Sequence, residues 1–296
     1  MAKLNNPFTL WASCVGGSAI ARFSASAASK PHWSADPVVF GAVSPRRLAA
    51  QPDVDLTLFA SSGGRLNPFG VPPMIYRVRR TNPTSALFSE PWYCDPDRLA
   101  SPTGVACTKT HVFVANSGKP RSAVYAIPVG GGGPAAIFAP IADYAGNLIA
   151  VTACGDDVYY ATSDAVYRIR SLVQQTDPVV RYAGMQVSGI AVTPQSIYVV
   201  GGYATGANPV PLYEFSNNMA GTEIAPSNTT VLDSGFSDIA VWTGGGTLRI
   251  FLSRTYTPDG TRDGIYEFDG RKATRIFKST SANFTQNPEG LIAVPA

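Results

Sequence analysis

The sequence predicts an all-β protein: a six-bladed β-propeller with four antiparallel strands per blade. Three observations carry that expectation. A four-residue pattern, apolar–Tyr–any–apolar, recurs as Ile75-Tyr76-Arg77-Val78, Val124-Tyr125-Ala126-Ile127, Val166-Tyr167-Arg168-Ile169, Leu212-Tyr213-Glu214-Phe215 and Ile265-Tyr266-Glu267-Phe268. Its tyrosines lie 49, 42, 46 and 53 residues apart, the repeat length that builds propeller blades from short strands. The same order of short β-prone segments surrounds every copy, and the segments left over at the two chain ends add up to one more blade.

Each repeat opens with a small apolar segment, such as Gly104-Val105-Ala106 or Gly189-Ile190-Ala191-Val192. A short turn leads to a second strand rich in β-branched and aromatic residues: Val112-Phe113-Val114-Ala115, Val158-Tyr159-Tyr160-Ala161 or Ile197-Tyr198-Val199-Val200. The tyrosine strand is third, after a loop of variable length. A fourth strand closes the unit, as in Ala136-Ile137-Phe138, Val179-Val180-Arg181-Tyr182 or Arg275-Ile276-Phe277. Gly, Pro, Asn and Asp bound each segment.

Five complete units span about 44–92, 100–142, 146–184, 186–233 and 235–279. At the N-terminus, Thr9-Leu10-Trp11-Ala12, Ile20-Ala21-Arg22-Phe23 and Val38-Val39-Phe40 fit second, third and fourth strands, the third with Ala in the tyrosine position. At the C-terminus, Asn287-Pro288-Glu289-Gly290-Leu291-Ile292-Ala293-Val294 reads as a first strand. The sixth blade is therefore shared between residues 1–43 and 287–296, and 1–296 reads as one propeller domain. Joining both ends in one blade closes the ring and hides sheet edges. First strands line the axis, where small residues fit; Ala106, Ala150, Ala191, Ala240 and Ala293 are read as matching positions.

Bulk composition narrows the function classes. With 45% apolar residues in 296, the chain buries a large core, while charge is sparse at 15% and nearly balanced at +3. No basic run exceeds Arg46-Arg47 or Arg79-Arg80, so the clustered phosphate-neutralising face of a nucleic-acid binder is missing. No apolar run approaches the roughly 20 residues that span a bilayer. Met1 to Pro7 lacks the apolar core of a secretory signal. That leaves a cytosolic protein, or one whose signal has been removed; the Ser, Thr, Gly and Asn content fits an exported bacterial β protein. Low charge and a closed ring fit a monomer and equally permit burial in a larger assembly. Cys94 and Cys107 flank a blade-to-blade connection and form the candidate disulfide; the other reading makes all four cysteines small apolar packers.

Gly104 to Ala115, followed by Val124-Tyr125-Ala126-Ile127-Pro128-Val129-Gly130-Gly131-Gly132, resembles the six-bladed propeller repeats of exported bacterial proteins, myxobacterial ones especially. The resemblance covers the whole chain in degenerate copies. It extends to a wider clan of NHL-repeat binding propellers, strictosidine-synthase-like proteins and gluconolactonase/regucalcin hydrolases. It implies the fold and leaves open recognition and hydrolysis.

Recognition would use the long loops between second and third strands. These carry Arg65, Asn67 and Phe69; Tyr203 and Asn208; and Arg254, Tyr256, Asp259 and Arg262. The ligand would be a protein, peptide or glycan. Hydrolysis would use the axis, towards which Glu289, Asn147 and Asp238 project from the starts of first strands. Their oxygens are hard donors suited to Ca²⁺. The gluconolactonase/regucalcin family and diisopropyl-fluorophosphatase hold a metal with Glu, Asn and Asp at similar places, so the resemblance implies a lactonase- or esterase-like site there. This chain departs from the pattern, with Glu289-Gly290-Leu291 for Glu-Gly-Pro, Asn147-Leu148 for Asn-Gly, and no match for the remaining asparagine. The competing reading makes all three turn-capping residues. His111 lies in a turn where other blades have Asp55, Asp157, Ser196 and Thr247, so a polar turn residue suffices there. No Gly-x-Ser-x-Gly elbow is present. The expected function is non-catalytic recognition, with the metal-dependent hydrolase as the alternative.

Overall fold

A computed structural model describes residues 8–25, 33–40, 45–52, 56–62, 72–80, 86–117, 122–131, 136–140, 150–162, 165–169, 176–182, 187–202, 210–217, 226–232, 235–244, 247–255, 261–279 and 287–295. The described residues form six four-stranded antiparallel sheets, and none of them forms a helix able to cross a membrane. The first sheet holds β1 (Phe8–Cys14), β2 (Ala19–Ala25) and β3 (Trp33–Phe40). The second comprises β4 (Pro45–Ala50), β5 (Leu58–Ser62), β6 (Met74–Arg79) and β7 (Phe88–Cys94). The third comprises β8 (Pro102–Cys107), β9 (His111–Asn116), β10 (Ala123–Pro128) and β11 (Ala136–Pro140). The fourth comprises β12 (Ala150–Cys154), β13 (Asp157–Ala161), β14 (Ala165–Ile169) and β15 (Thr176–Arg181). The fifth comprises β16 (Val187–Val192), β17 (Ser196–Gly201), β18 (Val210–Ser216) and β19 (Asn228–Leu232). The sixth comprises β20 (Asp238–Trp242), β21 (Arg249–Arg254), β22 (Gly264–Phe268) and β23 (Ala273–Lys278). The last strand, β24 (Pro288–Pro295), returns to pair with β1, giving the order β24-β1-β2-β3. The register of that closing pair runs from Phe8–Pro295 to Cys14–Pro288.

Tyrosine-pattern residues hold the blades together because each blade buries both faces. Six apolar clusters form, each drawn from two neighbouring blades. Tyr125 joins Phe59 and Ile75 between the second and third blades. Tyr266 meets Phe236 edge to face with centroids 5.3 Å apart, an arrangement that adds to plain burial. Between the sixth blade and the composite one, Phe8 stacks on Trp242 at 5.1 Å. There Arg249 lies over the rings of Phe8 and Phe251 and pairs with Glu267 at 2.7 Å.

Glycine at the start of first strands lets neighbouring blades approach closely. A Cβ at Gly104 would come within 2.8 Å of the Val151 main-chain nitrogen, and one at Gly189 within 2.9 Å of the Asp238 Cα. The axial alanines need a correction. Ala106, Ala191 and Ala240 pair with Phe113, Tyr198 and Phe251 and are equivalent. In the fourth blade the partner of Tyr159 is Thr152, so Ala150 sits two residues away from that ring. In the composite blade Ile292, facing Trp11, holds the position instead of Ala293. All four cysteines are free, so no Cys94–Cys107 disulfide forms; Cys94 is exposed whereas Cys107 lies buried.

Candidate functional site

First strands of all six blades wall an axial cavity of about 210 Å³, ringed at one level by Ala49, Ala106, Thr152, Ala191, Ala240 and Ile292. Small side chains leave that space open because six strands converge there. One end, the mouth, is polar: Arg47 and Asp238 reach its lining. The second strands end at this same end, since the first residues of inner strands pair with the last residues of second strands, as in Pro45–Ser62 and Asp238–Ser253.

Arg47 is the centre of the mouth. Its side chain leaves β4 and crosses the axis. Nη1 donates to the Glu289 carbonyl at 3.0 Å, and Nη2 donates to the carbonyls of Ser188 and Ser237, each at 2.9 Å. Those acceptors belong to the composite, fifth and sixth blades. Glu289 Oε1 lies 3.6 Å from Arg47 Nη1 and 3.9 Å from Arg46 Nε. Glu289 is 2% exposed, and its Oε2 has no hydrogen-bond partner among the described residues.

Serines stitch the surrounding strands together. Ser13 Oγ donates to the Arg46 carbonyl at 2.6 Å and accepts from the Gly290 N–H at 2.8 Å. Ser253 donates to the Glu289 carbonyl at 2.8 Å, and Ser61 accepts from the Arg47 N–H at 3.2 Å. Ser188 donates to the Phe236 carbonyl of the next blade.

Asp238 points across a blade boundary, where its Oδ2 accepts from the Leu291 N–H at 2.9 Å. Burial raises its pKa to about 6. The Arg47 charge and the N–H groups of Leu291 and Ile239 pull the other way, and the Glu289 charge adds to the rise. A carboxyl raised in this way favours folding fully below its unfolded value near 3.8, and that contribution is lost as pH climbs through 6. Each unit of displacement is worth about 1.4 kcal/mol. The stability of the wild type relative to Asp238→Asn should therefore fall between pH 4 and pH 6 and level off above. Urea unfolding at four pH values checks this; a constant difference, or one that rises with pH, refutes it.

The sequence-derived candidates separate as follows. Glu289 and Asp238 do converge on the mouth. Asn147, Arg65, Asn67, Phe69, Tyr203, Asn208, Tyr256 and Asp259 lie outside the described residues. Arg254 is corrected from surface contact to core: it is 3% exposed, with its guanidinium 5.8 Å from the Phe236 ring centre. It stands at the end of β21, paired with Gly264. Arg262 is exposed on the mouth side, and its carbonyl accepts from Tyr266 Oη at 2.5 Å. His111 Nδ1 lies 2.9 Å from Thr110 Oγ1 at the opposite end of the blade. Among the described residues no group of three or more His, Cys, Asp and Glu could hold a metal ion.

Arg47 was visible in the sequence only as half of a short basic pair. Its signal was its position, since Gly104, Gly189, Gly290 and Ala150 stand at or beside the corresponding place in other blades. Ser13, Ser61 and Ser253 likewise share one position, facing the first residue of the tyrosine pattern.

No protein-family model and no curated protein matches this chain. Solved structures do. A candidate 6-phosphogluconolactonase from Bacteroides fragilis aligns with a TM-score of 0.60 at 12% identity, covering 99% of each chain. A second candidate 6-phosphogluconolactonase, from Bacteroides uniformis, gives 0.56 at 15% identity over 92% of this chain and 83% of its own. A protein from Lactobacillus plantarum gives 0.60 at 11% identity over 97% and 99%. At such identities the likeness establishes the propeller fold.

Proposed function

We propose that this chain is a non-catalytic recognition propeller that binds a protein, peptide or glycan on its mouth face. The observation supporting this reading is the Arg47 guanidinium at the axis. It supplies from within the protein the positive charge that the hydrolase reading assigns to a metal beside Glu289 and Asp238. A divalent cation there would sit against a buried like charge. The carbonyls of Glu289, Ser188 and Ser237, which are hard donors, already accept from Arg47. The described residues thus fit a sealed, self-paired mouth better than an open coordination site. What remains accessible among the described residues at the rim is Arg262, which stands exposed.

Metal analysis of the purified protein, with thermal unfolding in EDTA and a lactone hydrolysis assay, tests this. The expected result is no stoichiometric metal, no shift with EDTA and no turnover. Screening against peptide and glycan arrays should return a ligand whose affinity falls by about tenfold in Arg262→Ala, the scale of a contact hot spot. Stoichiometric Ca²⁺ or Zn²⁺ that is lost in Glu289→Gln, together with lactonase activity, would overturn the reading in favour of the hydrolase.

A further inference from the structure

Every propeller blade ends in an outer strand whose far side is an open sheet edge, a template for pairing with other chains. Five of the six described outer strands are blunted. The sequences of β3, β7, β11 and β15 contain Pro37, Pro91, Pro140 and Pro178, which lack a main-chain donor. In β23, Arg275 and Lys278 bring charge to the edge. All five also shift register against their third strands, at or beside the first residue of the tyrosine pattern. Such bulges twist an edge away from a partner.

The exception is β19. Its residues, Asn228-Thr229-Thr230-Val231-Leu232, include no proline and no charge, and they pair with β18 in unbroken register. Val231 is 68% exposed. Pro211, which faces Val231, has no N–H to give. That pair therefore does not exchange two hydrogen bonds. In an antiparallel ladder the two kinds of pair alternate. Leu232, Thr230 and Asn228 accordingly bond inward to β18, and Thr229 and Val231 aim their N–H and C=O groups outward.

We propose that β19 is a pairing edge for a second copy of this chain, joined antiparallel about a two-fold axis at Thr230. The outward groups are symmetric about that residue. Thr229 of one copy would meet Val231 of the other, twice, and each meeting exchanges two main-chain hydrogen bonds. Thr230 faces its own counterpart in the close, non-hydrogen-bonded pair, a favourable Thr–Thr contact. No like charges oppose one another. Because only one described edge is unblunted, pairing consumes it and closes at a dimer instead of running on as a fibre. The inference is independent of what the mouth binds.

The contact is small beside a standard interface of about 1,600 Å², so the dissociation constant should lie roughly between micromolar and millimolar. Sedimentation velocity from about 1 µM to about 1 mM brackets that range. It should show monomer passing to dimer. Val231→Pro removes an outward donor without touching a bond to β18 and should weaken the dimer on the order of thirty-fold. Thr230→Lys sets like charges face to face and should abolish it. In a Cys94→Ser background, Thr230→Cys should oxidise to a disulfide-linked dimer, since Cα atoms in the close pair are about 4.5 Å apart; Asn228→Cys should not. Should Val231→Pro fail to fold, the lysine variant and the crosslink still decide. A monomer throughout, a dimer indifferent to these changes, or equal crosslinking from position 228 overturns the proposal; the first would leave the edge to an extended segment of another protein.

Discussion

Removing residues 288–296 should open the ring and cost most of the protein's stability. The deletion takes away all of β24, whose partner β1 would become an exposed inner edge. It strips Leu291 and Val294 from two inter-blade clusters and Ile292 from the axial wall. It also removes Glu289, one of the carbonyls and the carboxylate that Arg47 engages. Losing two buried aliphatic side chains alone costs about 4–8 kcal/mol, comparable with a typical total of roughly 5–15 kcal/mol. The truncated chain should therefore unfold at least about 10 °C lower, with loss of cooperativity. Leu291→Ala gives the graded version, at about 3 kcal/mol. A synthetic peptide of residues 287–296 added in trans should restore the melting temperature, because the missing strand is extended and its slot is preformed by β1, β4 and β20. Differential scanning calorimetry reads all three. A truncation that melts with the full-length chain would mean that the closing pair contributes little.

The architecture was legible because it is written in local patterns repeated many times. A tyrosine strand bounded by turn residues is a short-range signal, and five copies of it outweigh any single ambiguity. The composite blade followed from arithmetic on what was left over. Inner-strand register was less legible. Alanine and glycine are frequent near the axis, so several offsets look alike, and only the cross-strand partner decides: Tyr159 selects Thr152, and Trp11 selects Ile292. The mouth was half legible. Glu289 and Asp238 drew attention as carboxylates at first-strand starts. Their partner did not, because the Arg47 contacts join residues 141 to 242 positions apart and go to main-chain carbonyls, which carry no sequence signature. Arg254 was misread for a related reason. A loop-flanking arginine is commonly a surface residue, and only the packing of Phe236 from the start of the same blade shows that its guanidinium has an aromatic partner indoors.

Arg47→Met should be the most damaging single substitution at the mouth, and its partner change should partly repair it. Methionine matches the stem but abandons three carbonyls and takes from the buried Glu289 the nearer of its two guanidinium neighbours, leaving Arg46 at 3.9 Å. Breaking a buried charged pair from one side costs about 3–5 kcal/mol. In a domain of this size that is a fall of roughly 6–15 °C. Arg47→Lys should fall between, because an ammonium on a flexible stem cannot span acceptors from three blades as a planar fork does. Glu289→Gln in the Arg47→Met background removes the stranded carboxylate, and the double variant should recover at least 1 kcal/mol relative to Arg47→Met, within the range seen when buried pairs are replaced whole. Urea unfolding of the wild type, Arg47→Met, Glu289→Gln alone and the double variant completes a double-mutant cycle whose coupling energy isolates the pair. If Arg47→Met were as stable as the wild type, the guanidinium would not be a structural hub. Its placement across the axis would then have to be explained by something it binds, and the case for recognition on the rim alone would fail with it.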